Sequence, residues 1–356
     1  MKAKIALLAG DGIGPEIMEE GIKTLKSVAS VYGHEFELAP APIGGKAIDL
    51  TGQPYPDETH EICLNSDAVL FGAIGDPRFD NDPTARVRPE QGLLAMRKKL
   101  GLYANLRPVK TFPSIFSKSP LKNDRLDGVD FIVVRELTGG IYFGEPRGVS
   151  ENGEKAFDTC VYSAGEIRRI ASVAFDLARK RSGKICMVDK ANVLASSRLW
   201  RKVMQSMAEE NPDVAVEYLF VDNASMQLIL RPGQFDVILT ENMFGDILTD
   251  EASVLPGSIG LLPSASIGES TAVFEPIHGS FPDAAGKGIA NPFGMIRSVA
   301  MMLQIQFNLH EEAELIERAV DAALTLEIGT PDLFPDKLVS TAEAGQWVAD
   351  YIGRTG

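Results

Sequence analysis

The sequence predicts an α/β fold with a largely parallel sheet, divided into two domains. Three observations carry this. Short apolar runs of strand length alternate with helical patterns along most of the chain, as in successive β-α-β units. At 356 residues the chain is longer than one small core organises. Finally, residues 235–240 form an apolar strand directly before a helical stretch, 243–253, that carries Asp246 and Asp250. On a helix, carboxylates four apart point to one side and repel unless something positive offsets them. Such oxygen donors suit Mg²⁺ or Mn²⁺. Two solvated aspartates are the plainer alternative. The position behind a strand, where open α/β sheets place ligands, sets the metal reading beside it.

The elements follow in order. Residues 4–9 are a strand, and Gly10-Asp-Gly-Ile-Gly-Pro15 leads into a helix over 17–31, with Pro15 suited to its first turn. The glycines sit at i, i+2 and i+4, whereas the Rossmann fingerprint needs G-x-G-x-x-G. Residues 34–38 read as extended, 57–65 as helical and 68–71 as extended. Residues 72–89 form a long loop with glycine, proline and three arginines, a length that is usually functional. A helix over 90–100 and strands at 103–109 and 129–134 come next. Residues 137–162, glycine-rich with spaced aromatics, read as a protruding hairpin. Helix 164–181, strand 184–188, helix 194–208, strand 214–220 and a short helix 222–230 lead back to the strand at 235. A proline- and glycine-rich passage runs from 256 to 292, followed by helices at 292–307, 311–326 and 341–351.

Composition excludes several function classes. Apolar residues at 45% and charged residues at 24% are ordinary for a soluble chain. A net charge of −14 argues against nonspecific nucleic-acid binding and against an anionic membrane surface. An acidic protein that handles an acidic substrate must concentrate arginines locally. Cys63, Cys160 and Cys186 form neither a disulfide framework nor a metal spacing, which fits a reducing cytoplasm. The histidines His34, His60, His278 and His310 are scattered, against a zinc site. The apolar run at the start is too short for a signal peptide, and no run approaches a membrane span.

Four groups of residues could do chemistry. Arg97 lies on a helix, Arg107 at the end of a strand, and Arg135 closes the apolar strand 131–134. Together their forks could hold a dicarboxylate, although each alone also reads as a structural ion pair. Tyr142 lies among glycines that permit close backbone approach, and Lys190 follows the strand 185–188. A lysine beside a metal and arginines would have its pKa lowered and could act as a base; otherwise it is a solvated strand-end lysine. Asp222 follows a strand as Asp246 does, and would add a third carboxylate for Mg²⁺. The stretch 274–291 has glycines that let backbone approach a ligand, and Asp283 could accept from ribose hydroxyls.

Seven motifs in order resemble the isocitrate/isopropylmalate family of β-decarboxylating dehydrogenases. They are Gly10-Asp-Gly-Ile-Gly-Pro-Glu16, Glu90-Gln-Gly-Leu-Leu-Ala-Met-Arg97, Asn105-Leu-Arg-Pro108, Arg135-Glu-Leu-Thr-Gly-Gly-Ile-Tyr-Phe-Gly144, Asp189-Lys-Ala-Asn192, Asn242-Met-Phe-Gly-Asp-Ile-Leu-Thr-Asp250 and Glu275-Pro-Ile-His-Gly-Ser280. The resemblance implies that family's doubly wound α/β sheet, as in isopropylmalate dehydrogenases, and not a Rossmann fold. It implies a discontinuous cofactor-side domain, 1–102 plus 256–356, and a substrate, metal and dimerisation domain, 103–255. The implied reaction is NAD-linked, Mg²⁺- or Mn²⁺-dependent oxidative decarboxylation of 3-isopropylmalate to 4-methyl-2-oxopentanoate, a step of leucine biosynthesis.

The roles it implies are as follows. Arg97, Arg107 and Arg135 bind the malate carboxylates. Asp222, Asp246 and Asp250 ligate the metal, with Asp222 also at the substrate. Lys190 takes part in removing the hydroxyl proton, and Tyr142 donates the proton that completes the product. Glu90, Leu93 and Leu94 follow the isopropylmalate pattern, and Val193 adds to the apolar pocket. Ile13, Asp76, Glu90, His278, Gly279, Ser280, Asp283, Ala284 and Asn291 face the cofactor. The working unit it implies is a homodimer in which Lys190 and Asp222 reach into the partner's site. A D-malate or tartrate dehydrogenase of the same family is the alternative within the class; a noncatalytic nucleotide- or metal-binding relative is the alternative outside it.

Overall fold

The computed structural model describes residues 1–80, 87–269 and 271–355. In chain order the first elements are β1 (Lys2–Gly10), α1 (Gly14–Tyr32), β2 (Glu35–Pro40), α2 (Gly45–Thr51), α3 (Asp57–Leu64), β3 (Ala68–Ala73), α4 (Pro77–Asp80) and α5 (Pro89–Lys99). Then come β4 (Ala104–Lys110), α6 (Asn123–Leu126), β5 (Asp130–Glu136), β6 (Gly144–Val149), β7 (Ala156–Thr159), α7 (Ala164–Arg179), β8 (Lys184–Asp189) and α8 (Ala195–Glu210). The chain continues through β9 (Ala215–Phe220), α9 (Val221–Leu230), β10 (Val237–Thr240), α10 (Asn242–Ala252), β11 (Pro263–Ile267) and β12 (Ala272–Pro276). It closes with α11 (Phe293–Ile305), α12 (His310–Thr325) and α13 (Thr341–Thr355).

Four stretches differ from the sequence reading, among them helix α6, which went unread. The passage 256–292 contains β11 and β12. Both are five residues long, one opens on Pro263, and β12 is buried on both faces, so neither shows alternation. Helix α2 went unread. The loop 72–89 includes the short helix α4, while its residues 81–86, with Arg86, lie outside the described residues.

The chain divides into two compact units, Met1–Leu102 with Pro256–Gly356, and Tyr103–Leu255. In the first, β2, β1, β3 and β12 run parallel and β11 is antiparallel to β12. Helix α1 buries Ile17, Met18, Gly21, Leu25 and Val28, one stripe at helical spacing, and packs on α11 and α13. Gly21 is needed there, because a side chain would meet Met295 at 2.8 Å. Helix α11 is buried from Phe293 through Leu303, so it is the interior helix of this unit.

In the second unit the strand order is β4-β5-β10-β8-β9, parallel except for β4 against β5. Phe131, Val133, Cys186, Val188 and Ile238 form one face of the sheet. They pack with Ala224 and Leu228 of α9 and Leu248 and Ala252 of α10. Helix α7 packs on β5, β8 and β10. Its start is set by a capping box, with Ser163 accepting from the Glu166 N–H and Glu166 accepting from the Ser163 N–H. Strands β6 and β7 form an exposed antiparallel hairpin. Among the described residues, no helix is long and apolar enough to cross a membrane.

Candidate active site

The C-terminal ends of the parallel strands β5, β8, β9 and β10 lie along one edge of the second unit's sheet, where open α/β sheets bind ligands. Arg135 is the penultimate residue of β5. Lys190 follows β8, Asp222 lies in the first turn of α9 after β9, and α10 starts just past β10.

One cluster is built around α10. The buried Arg135 donates from Nη1 to Asp246, and from Nε and Nη2 to the Asn242 Oδ1 at 3.1 and 2.8 Å. Its stem lies flat on the helix because Gly245 has no side chain; a Cβ there would sit 2.6 Å from the Arg135 Cγ. Tyr142, in a tight turn over Gly140–Tyr142, donates its hydroxyl to the Asp246 Oδ2 at 3.0 Å. Burial, and then the bond to Asp246, push the phenol's pKa up, so it is protonated. Arg107 lies in the middle of β4, not at its end as the sequence suggests. It donates to Asn105 at 2.9 Å and to Thr249 at 2.8 Å, and its Nη1 lies 3.5 Å from the Asp250 Oδ1. The repulsion expected between Asp246 and Asp250 is thus offset by two guanidinium groups, one beside each carboxylate.

A second group pairs Lys190 with Asp222, whose Oδ1 accepts from Nζ at 2.5 Å. That bond holds the Asp222 carboxyl below the usual range. Val193 stands beside them, 61% exposed. Among the described residues of one chain, no group of three carboxylate, histidine or thiol side chains is gathered to hold a metal ion. Asp246 and Asp250 do offer two hard oxygen donors on one helix face. Two carboxylates are a common protein contribution to a Mg²⁺ site completed by substrate and water oxygens.

In the first unit, three loops and α5 converge. The Ile13 N–H donates to the Ser280 carbonyl at 2.8 Å. Gly12 packs so tightly against Ser280 that a Cβ would meet that oxygen at 2.0 Å, and its φ of 56° is left-handed. A side chain on Gly75 would meet the Ser280 Oγ at 2.9 Å and the Glu90 Oε1 at 3.3 Å. Asp76 pairs with Arg78 at 2.6 Å. His278 donates from Nδ1 to the Gly279 carbonyl at 3.0 Å, and burial lowers its pKa, so the ring is neutral. Its Nε2 is then a buried acceptor with no partner among the described residues, which fits a ligand N–H such as an adenine amine. Asp283 is exposed in the turn Pro282–Ala284, of which Ala284 is the buried end. Asn291 engages both amide atoms, accepting from the Phe293 N–H and donating to Asp332, each at 3.0 Å.

Also in this unit, Arg97 bridges to Glu275 at 3.1 Å and keeps a buried Nε without a partner among the described residues. Leu93 packs against a buried cluster that includes Met96 and Leu100, whereas Leu94 is 53% exposed. Sequence reasoning gave no role to Asn242 or to Glu241. Glu241 is buried near the Cys160 thiol, and burial together with Glu136 and Asp189 pushes its carboxyl up to about 7. Asn242 was visible as the first residue of a family motif and Glu241 only by its position, immediately after the β10 strand.

The family model described as isocitrate/isopropylmalate dehydrogenase matches residues 4–348. A 3-isopropylmalate dehydrogenase of Bacteroides fragilis is 55% identical over 354 residues, covering 99% of both chains. One from Aquifex aeolicus is 54% identical over 337 residues, 94% of this chain and 92% of that one. Among solved structures, an isocitrate dehydrogenase from Methylococcus capsulatus superposes with a TM-score of 0.86 at 34% identity, covering 99% of each chain.

Proposed function

The chain belongs to the isocitrate/isopropylmalate dehydrogenase family, and we propose that it oxidises 3-isopropylmalate at C2. Loss of the carboxylate β to the new ketone then yields 4-methyl-2-oxopentanoate, a step of leucine biosynthesis. The observation that carries this reading is the cluster of Arg107, Arg135, Tyr142, Asp246 and Asp250 in a chain whose curated relatives of that activity match it nearly end to end.

The chain's own residues divide the work. Arg107 and Arg135, with Arg97, hold the two carboxylates, their forks matching carboxylate geometry. Asp246 and Asp250, with Asp222, would hold a Mg²⁺ or Mn²⁺ ion, which would supply Lewis acidity at the C2 oxygen, and NAD⁺ would supply the hydride acceptor. Lys190 takes part in removing the hydroxyl proton, acting as the base when its amine is neutral, with Asp222 beside it to steady the ammonium it becomes. Tyr142, kept protonated by burial and by Asp246, supplies the proton to C3 after CO₂ leaves. Leu93, Leu94 and Val193 surround the isopropyl group, with Glu90 at the rim.

NAD⁺ is assigned to the convergent loops of the first unit. Ile13, Asp76, Glu90, Gly279, Ser280, Ala284 and Asn291 would line its path, and the unpartnered His278 Nε2 would accept from the adenine amine. Asp283 would accept from the adenosine ribose hydroxyls, where its charge would disfavour a 2′-phosphate. In this reading the first unit is the cofactor-side domain, and the second carries substrate, metal and the dimer contact. The assembly is a homodimer in the cytoplasm whose sites share Lys190 and Asp222 from the second copy. Exposed apolar side chains on α9 (Met226, Ile229, Leu230) and α10 (Ile247) support a partner surface there. Production of NADH absorbance from 3-isopropylmalate, NAD⁺ and Mg²⁺ is the expected result. No turnover of that substrate, with turnover of D-malate instead, would move the assignment to the malate-oxidising branch.

A further inference from the structure

Asn242 is buried, 1% exposed, at the first position of α10, and each of its polar groups is used. Its backbone N–H donates to the Tyr162 hydroxyl at 3.0 Å. Its Oδ1 accepts from two nitrogens of Arg135, at 3.1 and 2.8 Å. Its Nδ2 donates to the Gly139 carbonyl at 3.2 Å. Gly139 opens the turn that carries Tyr142, and Glu136 holds the same turn by accepting from the Thr138 and Gly139 N–H groups at 2.8 and 2.7 Å. One primary amide therefore touches both the arginine assigned to a substrate carboxylate and the backbone that sets the height of the proton donor.

A buried asparagine this fully bonded already has a structural reason to exist. What singles it out is the pairing of its two ends. Arg135 already pairs with Asp246 through Nη1, and a neutral acceptor on its Nε side adds no second negative charge, as an aspartate at 242 would. A donor to the Gly139 carbonyl fixes the backbone of the turn, while Asp246 fixes the Tyr142 hydroxyl. Because fork and phenol share α10 as their base, a shift of either on the order of 1 Å would be felt as a large loss of rate.

We infer that Asn242 is a positioning residue for the proposed reaction: its amide oxygen aims Arg135 at a substrate carboxylate, and its amide nitrogen sets Tyr142 at the carbon to be protonated. The inference rests on the function proposed above. It separates into two measurable parts, because aiming Arg135 acts on substrate affinity and setting Tyr142 acts on kcat.

The test measures 3-isopropylmalate binding by calorimetry in the presence of Mg²⁺, and kcat by NADH absorbance, on the full-length enzyme. Asn242→Ala is expected to weaken binding by about tenfold and to lower kcat by about tenfold or more. In a Tyr142→Phe background the kcat loss from Asn242→Ala should shrink to less than about threefold, while the binding loss persists, because interacting residues are non-additive. A merely structural role would leave both losses unchanged in both backgrounds, and that result overturns the inference, as would single-variant values within about twofold of the parent. Asn242→Asp, of the same size, carries the test if the alanine variant does not fold. It loses the N–H to Gly139 and should show the same collapse of its kcat loss in the Tyr142→Phe background. A parent enzyme with no turnover of 3-isopropylmalate would instead sink the proposed function, so the two failures are distinguishable.

Discussion

Replacing Leu94 by alanine separates substrate choice from stability. Leu94 is 53% exposed on α5, so about half of its surface is available to a ligand and the rest rests on the protein. The change removes three carbon groups, worth about 2.4 kcal/mol at ~0.8 kcal/mol per buried methylene. With only about half of that contact made by the isopropyl group, the loss is about 1.2 kcal/mol, or roughly eightfold in kcat/KM. D-malate has no isopropyl group, so its kcat/KM should stay within about twofold. The melting temperature should fall by only a few degrees, because the half of Leu94 that rests on the protein is lost but no enclosed cavity is left. Leu93→Ala is the contrast: Leu93 packs against the buried cluster with Met96 and Leu100, and its loss should cost about 1–3 kcal/mol of stability. Initial rates on both substrates with both variants, and one thermal melt each, decide the matter. Equal proportional losses on 3-isopropylmalate and D-malate for Leu94→Ala would remove Leu94 from substrate selection.

Four further outcomes are expected. EDTA should abolish turnover and Mg²⁺ or Mn²⁺ restore it; full activity in a chelated sample refutes the aspartate assignment. With NADP⁺, kcat/KM should fall well below that with NAD⁺, because Asp283 meets the 2′-phosphate; parity would mean that Lys287 or another cation offsets it. Homodimers of Lys190→Ala and of Arg107→Ala should both be nearly inactive, whereas purified mixed dimers should recover up to about half the parental activity per dimer if the sites are independent. Mixed dimers no better than the parents would mean that each site is built within one chain. Glu241 has its carboxyl raised by burial, Glu136 and Asp189 to about 7, so the folded state binds its proton more tightly than the unfolded chain. Stability from this group is full below the ordinary carboxylate range and is lost as pH rises through about 7. Glu241→Gln should therefore be more stable than the parent at pH ~8, by on the order of 3 kcal/mol, and match it near pH ~4. A constant difference across that range would show that ionisation is not the cause.

What the sequence made legible follows from what leaves a periodic trace. The alternation of apolar runs and helical stripes shows because β5, β8 and β10 are continuous buried runs, as parallel central strands are. The Asp246–Asp250 spacing shows for the same reason, one helix face being one spacing. Strands β11 and β12 do not show, because Pro263, Pro276 and Glu275 interrupt runs of only five residues. The division of the chain at 102 and 256 leaves no composition shift at all and enters only through the resemblance. The interaction most hidden is that of Asn242. Its role depends on Arg135 and Gly139, more than a hundred residues away in the chain, and no local pattern reports such a meeting. Gly245 was similarly mute until the Arg135 stem was seen lying over it.

The discontinuous unit has a consequence for the order of synthesis. When the ribosome has released residues 1–102, β3 has β1 on one side, but its other neighbour, β12, is still unmade. The apolar stripe of α1 likewise waits for α11 and α13. Residues 103–255 emerge next as one contiguous compact unit. At ~5–20 residues per second the first unit therefore spends on the order of ten seconds or more with a bare strand edge and an uncovered helix. Chaperone occupancy of nascent chains should peak in that window and fall once α11 has cleared the exit tunnel. A stop codon placed before α11 should leave a second unit that resists protease beside an amino-terminal segment that does not.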